Sequence, residues 1–320
     1  MAKNDIGKKV NHTLKDVSKT VNKAKNTAIS SANKAIETVG DINITPEEIV
    51  CQAAKLPVAK VDRAKFLRKE LIKHYPEETI RLAIEKNPAY AGIDKYRINK
   101  IANQVIQYET NKVSSISFAA GIPGGWAMAA TVPADVAQYF AFILRAMQEI
   151  AYLYGFEEFK FEGDDIDSNT MNEIMIFLGV MFGVQSANAG VKAIAQAATQ
   201  KVSKTLANKA LTKTTIYPIV KKVAKSLGIR MTKQIFADSV SKVVPVVGGA
   251  VAGGLTYATF KPNCLRLKHS LWNLNLCDVD FYKKTKLGEI TEMPDEEIID
   301  INEDDIIAES NSDVFEDGMD

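Results

Sequence analysis

Apolar residues recur at spacings of three and four through KVDRAKFLRKELIKHY, ETIRLAIEK and IDKYRINKIANQVIQYE, segments set off by Pro57, Pro76 and Pro88. This spacing predicts amphipathic helices. Alternating or β-branched runs closed by turn residues, the pattern of strands, are nearly absent. Thr45-Pro46-Glu47-Glu48 is a helix start, with Thr as N-cap, Pro in the first turn and Glu three residues after the cap. The chain is therefore expected to be all-α, a multi-helix bundle whose folded core begins at residue 45.

Three stretches are apolar and free of charge: 22 residues from Val113 to Ala134, 18 from Ile174 to Val191 and 18 from Val243 to Phe260. The first is long enough to span a bilayer. Pro123, Gly124, Gly125 and Pro133 interrupt it, which argues against a single uninterrupted span. The second contains Gly179-x-x-x-Gly183 and the third Gly249-x-x-x-Gly253. Small residues four apart let helix backbones approach closely, in lipid or in a tight core. Buried core helices of a membrane-associated domain, hairpins inserted in the bilayer and a purely soluble bundle all fit these runs. At ~100° per residue, Asp135, Gln138, Arg145 and Glu149 share one helix face, and Gln185, Asn188, Lys192, Gln196 and Thr199 share another. Polar groups turned toward an apolar interior must be paired or hydrated. Asp135 and Arg145 are expected to be buried and partnered, with Lys192 as a second cation. The alternatives are a solvent-facing side and a polar cleft.

The amino-terminal arm, residues 1–44, repeats every eleven residues from Val10, Val21 and Ala32. Val10, Leu14, Val17, Val21, Ala28, Ala32, Ile36 and Val39 form a narrow apolar stripe, with Lys15, Lys19, Lys23 and Lys34 opposite. An eleven-residue period is ~3.67 residues per turn, so the stripe does not drift around a straight helix. Val and Ala are too small to build a core alone. Such an arm suits a helix lying on an anionic membrane surface or one packed on its own domain or a partner.

Forty basic and thirty-nine acidic residues nearly cancel, which argues against a dedicated nucleic-acid binder. The balance conceals polarity: residues 192–242 hold eleven Lys or Arg against one acid, and residues 289–320 hold fourteen acids and no base. The chain divides into the arm, a helical core over 45–282 and an acidic tail over 283–320 expected to be disordered. Cys51, Cys264 and Cys277 contain no CxxC pair and suit a reducing compartment. No apolar signal segment follows the first methionine, so the chain is expected to remain cytoplasmic.

Catalytic patterns are poor. His12, His74 and His269 have no zinc-ligand spacing to one another or to cysteine, and no GxSxG, P-loop or strand-led GxGxxG occurs. No metal or cofactor is expected. The acidic stretch Glu157, Glu158, Glu162, Asp164, Asp165 and Asp167 lacks the ligand order of a calcium loop and reads as a solvated linker.

The segments KVDRAKFLRKELIKHYPEETI and NPAYAGI, the stretch GIPGGWAMAATVPADVAQYFAFILRAMQEIAYLYGF, the run MNEIMIFLGVMFGV and VVPVVGGAVAGGLTYATF together resemble the EcsC family of bacterial proteins, over roughly residues 46–282. The resemblance implies a mostly helical bacterial protein associated with membranes, in a family named for its place beside an ABC transporter, and it brings no catalytic residues. The expected function is non-catalytic: binding or inserting at the inner face of the cell membrane, with anionic lipid and a protein as partners. The alternatives are an enzyme on a lipidic substrate, with Asp135 as acid and Arg145 as anion clamp, and a soluble adaptor recruiting a basic partner through the acidic tail.

Overall fold

A computed structural model describes residues 45–121, 132–161, 166–203, 219–228 and 248–290, with backbone alone for 117–121, 132–136 and 248–256. These residues form ten α-helices and no strand. The repeat-bearing arm, with Val10, Leu14, Val17, Val21 and Lys23, and nearly all of the acidic tail lie outside the described residues.

Helix α1 (Pro46–Lys55) begins at the expected capping box. Thr45 Oγ1 accepts from the Glu48 amide at 3.2 Å, and the Glu48 carboxylate accepts from the Thr45 amide at 2.8 Å. Two amides that the first turn cannot pair are satisfied in this way. Ile49, Val50, Ala53 and Ala54 form its buried face, which packs on α5 (Val132–Leu153). Helices α2 (Arg63–Leu71) and α3 (Glu77–Glu85) lean on each other. Arg63, only 8% exposed, ties α3 to the segment after α5 by donating to Ile84 O at 2.7 Å and Phe156 O at 2.9 Å. A guanidinium at a helix C-terminus satisfies carbonyls that have no intrahelical donor.

The longest pair is α4 (Lys95–Gly121) against α9 (Gly248–Trp272). Tyr96 meets Trp272 edge-on at 5.2 Å, and Lys268 donates to Asn103 at 2.8 Å. Residue numbers rise along one helix as they fall along the other, so the two run antiparallel. Gln148, fully buried on α5, donates to Ala59 O at 2.5 Å and to Leu144 O at 2.8 Å, seating the turn before α2 on α5.

Helices α6 (Ser168–Met181) and α7 (Ser186–Ser203) form a second antiparallel pair, with α8 over 219–228 beside them. A Cβ on Gly179 would lie 2.5 Å from Val223 Cγ1 and 2.8 Å from Ala187 Cβ, so α6 touches both neighbours there. Gly183 departs from the expectation of a helix contact. It follows the end of α6 with φ 72°, a left-handed turn residue that closes the helix. Gly249 and Gly253 lie in the first two turns of α9. Helix α10 (Val279–Lys286) corrects the expected tail boundary. Residues 283–286 belong to this helix, because Asp278 caps it and Thr285 is buried, donating to Phe281 O at 2.8 Å. No described helix is long and apolar enough to cross a membrane.

Candidate functional site

Along α4, Ile98, Ala102, Val105 and Val113 are buried at helical spacing. Glu109 occupies the next position of that stripe after Val105 and is 1% exposed. A carboxylate at a core position must find donors. Helix α5 crosses here and supplies Arg145, whose Nε lies 3.2 Å from Glu109 Oε1 and whose Nη2 lies 2.7 Å from Glu149 Oε1. Glu149, one turn beyond Arg145, is 3% exposed. Lys112, on the α4 turn after Glu109, is 3.4 Å from both Glu109 oxygens. One guanidinium therefore bridges two buried carboxylates, with an ammonium closing the outer side.

Burial disfavours the ionised form of Glu149, and the negative charge of Glu109 adds to the effect. Arg145, Lys112 and Lys69 oppose it, and the carboxyl is still pushed up to about 8. The Glu149 carboxyl thus favours its protonated form far more than an ordinary carboxylate does. For Arg145, burial pulls toward deprotonation, but Glu149 and Glu109 outweigh it and its pKa is raised. Cys264 on α9 lies behind the pair. Burial, followed by the two negative charges, pushes its thiol well above the ordinary range, so it is a neutral core residue.

Arg145 is paired, with Glu109 and Glu149 holding it; Asp135 lies in the first turn of α5, with its side chain outside the description. Gln138 is exposed, and Lys192 on α7 is half-buried and takes no part in the Arg145 cluster. A guanidinium already bridging two carboxylates is poorly placed to clamp an anionic substrate. Glu109 escaped the sequence reading, although its signal was present: a charged residue at offset eleven on an otherwise apolar face that starts at Ile98.

Above this cluster the surface changes character. Tyr108 is 62% exposed, and the ammonium groups of Lys69 and Lys112 each lie 5.9 Å from its ring centre. Ile72 and Ile116 are exposed at 59% and 37%. On α4, Tyr108, Lys112 and Ile116 are spaced by four; on α2 and its end, Lys65, Lys69 and Ile72 follow at four and three. Each set shares one helix face. Lys65 pairs with Asp62 at 3.0 Å largely in solvent, and Lys69 pairs at 2.8 Å with Glu70, whose side chain is 18% exposed. An exposed pair such as Lys65–Asp62 is held weakly.

A second feature is a cavity of about 530 Å³ bordered by Phe156, Phe159, Phe177, Glu157, Asp167 and Glu173 among others. Part of the stretch read as a solvated linker thus forms a wall. Glu158 accepts from the Arg63 amide at 3.1 Å, Glu157 pairs with Lys201 at 2.7 Å, and Asp167 caps α6 through the Asn169 and Thr170 amides. Burial raises the pKa of Glu173, the deepest of these acids. Residues 162–165 lie outside the described residues. Among the described residues no three His, Cys, Asp or Glu side chains are grouped to hold a metal ion. No protein-family model, curated protein or solved structure matches the chain.

Proposed function

We propose that the protein is a non-catalytic peripheral membrane protein that binds anionic lipid at the inner face of the cell membrane, accessory to a transport system as the resemblance to EcsC proteins implies. The observation that carries this reading is exposed Tyr108 on α4, whose ring has the ammonium groups of Lys69 and Lys112 5.9 Å from its centre, with exposed Ile72 and Ile116 on the same helix faces as Lys69 and Lys112. An aromatic ring with a polar tip suits the headgroup layer, and lysines near an anionic surface contribute about 1 kcal/mol each. Burying the exposed part of Ile72 adds about 1–2 kcal/mol. The sum gives reversible, salt-sensitive attachment and no insertion. The arm adds a second contact of the same chemistry through its Lys-flanked Val/Ala stripe.

Cosedimentation of the full chain with phosphatidylglycerol vesicles at low salt tests this. Binding is expected to those vesicles and not to phosphatidylcholine, with Ile72→Ser and Tyr108→Ser together lowering the partition coefficient about tenfold, or ~1.4 kcal/mol. A chain that stays in the supernatant with both lipids overturns the reading and favours the adaptor role of the acidic tail. Binding unaffected by the double variant removes this face from it.

A further inference from the structure

We propose that lipid binding by the α2/α4 face is linked to a proton held on the Glu149 carboxyl, buried beneath it in the Arg145 cluster, so that attachment to anionic lipid tightens as pH falls. The inference rests on the membrane reading above and adds the regulation of the same site. Its basis is that the cations of the docking face also serve as counter-charges of the buried pair. Lys112 lies 3.4 Å from Glu109 and 5.9 Å from the Tyr108 ring. Lys69, also 5.9 Å from the centre of that ring, acts on the Glu149 carboxyl through space. Whatever charge the pair carries is felt at the lipid-facing surface.

The groups facing Glu149 set the balance. From α4 come Glu109 and Lys112, from its own helix Arg145, from α2 Lys69, and from α9 the neutral Cys264 thiol. With Glu149 ionised, the carboxylates of Glu109 and Glu149 stand against Arg145, Lys112 and Lys69, the last also paired with Glu70 at 2.8 Å. Protonation of Glu149 removes one of those negative charges, so the net charge beneath the face rises by one. Anionic lipid stabilises that protonated form, and by linkage the protonated form binds anionic lipid more tightly. Glu149 is poised for this, since burial and Glu109 push its carboxyl up to about 8. The working window therefore lies above the ordinary histidine range.

The test compares the full chain with Glu149→Gln for partitioning into phosphatidylglycerol vesicles between about pH 7 and pH 9 at fixed low ionic strength. One charge near such a surface is a change of about fivefold. Wild type is expected to lose that factor across the window. Glu149→Gln is expected to keep the affinity seen at the lower pH throughout, apart from the slope that titration of the terminal amine gives both chains. Equal pH dependence in the two chains overturns the proton linkage and leaves the membrane reading standing. Absence of binding at any pH overturns both. Should Glu149→Gln fail to fold, the amino-terminally acetylated wild type decides. Mixed with the same vesicles in weakly buffered solution near pH 8, it should withdraw protons from solution, and no uptake overturns the proposal.

Discussion

Replacing Glu149 by Gln separates two pictures of the buried cluster, because they predict opposite pH trends in stability. The folded-state carboxyl sits near 8 against an ordinary value of 4.5. Between those values the native chain holds a proton that the unfolded chain has released, so stability falls as pH rises through this window. At 1.36 kcal/mol per pKa unit, the full span is on the order of 5 kcal/mol, most of it between pH 5 and 8. Gln keeps an acceptor 2.7 Å from Arg145 Nη2 without a charge to desolvate. Urea unfolding at pH 5 and pH 8.5 should find the variant close to wild type at the lower pH and more stable by a few kcal/mol at the higher. An ordinary buried ion pair, broken by the same change, would cost about 3–5 kcal/mol at both. A variant equally destabilised at pH 5 and 8.5 would refute the reasoning.

Arg145→Met leaves Glu109 and Glu149 without their shared counter-charge and should cost about 3–5 kcal/mol near neutrality; the urea denaturation midpoint at pH 7 checks this. Gly179→Ala drives a methyl into Val223 and Ala187 and should cost about 1–3 kcal/mol, and a thermal melt should show much of the loss restored when Val223→Ala is added. Thr45→Ala removes one side of the capping box and should cost about 1 kcal/mol by the same melt. In the native protein, alkylation followed by peptide mapping should modify Cys51 ahead of Cys264 and Cys277, since the latter two are buried and the Cys264 thiol is held neutral.

Much of the candidate site was legible as fragments. The offset between Arg145 and Glu149 put both on one face, and the charge at Glu109 stood out on the stripe through Ile98, Ala102 and Val105. That these fragments meet was not legible. Glu109 and Arg145 lie 36 residues apart, and only the crossing of α4 by α5 decides that they pair. Arg63 is a similar case. KVDRAKFLRKEL gives it the look of a surface base, whereas the folded chain buries it and fills its donors with carbonyls from the end of α3 and the segment after α5. The acids after Phe156 read as a linker because nothing in their own order shows that α6 and α7 close a cavity against them.

The amino-acid sequence by itself determined the helical class and the helix start at Thr45. Each depends on residues within a turn or two of one another, and helical period and capping are local physics. Tertiary structure decided which faces meet: which carboxylates Arg145 bridges, that Gly179 is a contact and Gly183 a helix end, and that Lys112 serves a buried acid and an exposed ring together. Many pairings of amphipathic helices satisfy one hydrophobic pattern. The cost of a buried charge depends on the partners that one particular packing brings within hydrogen-bond reach.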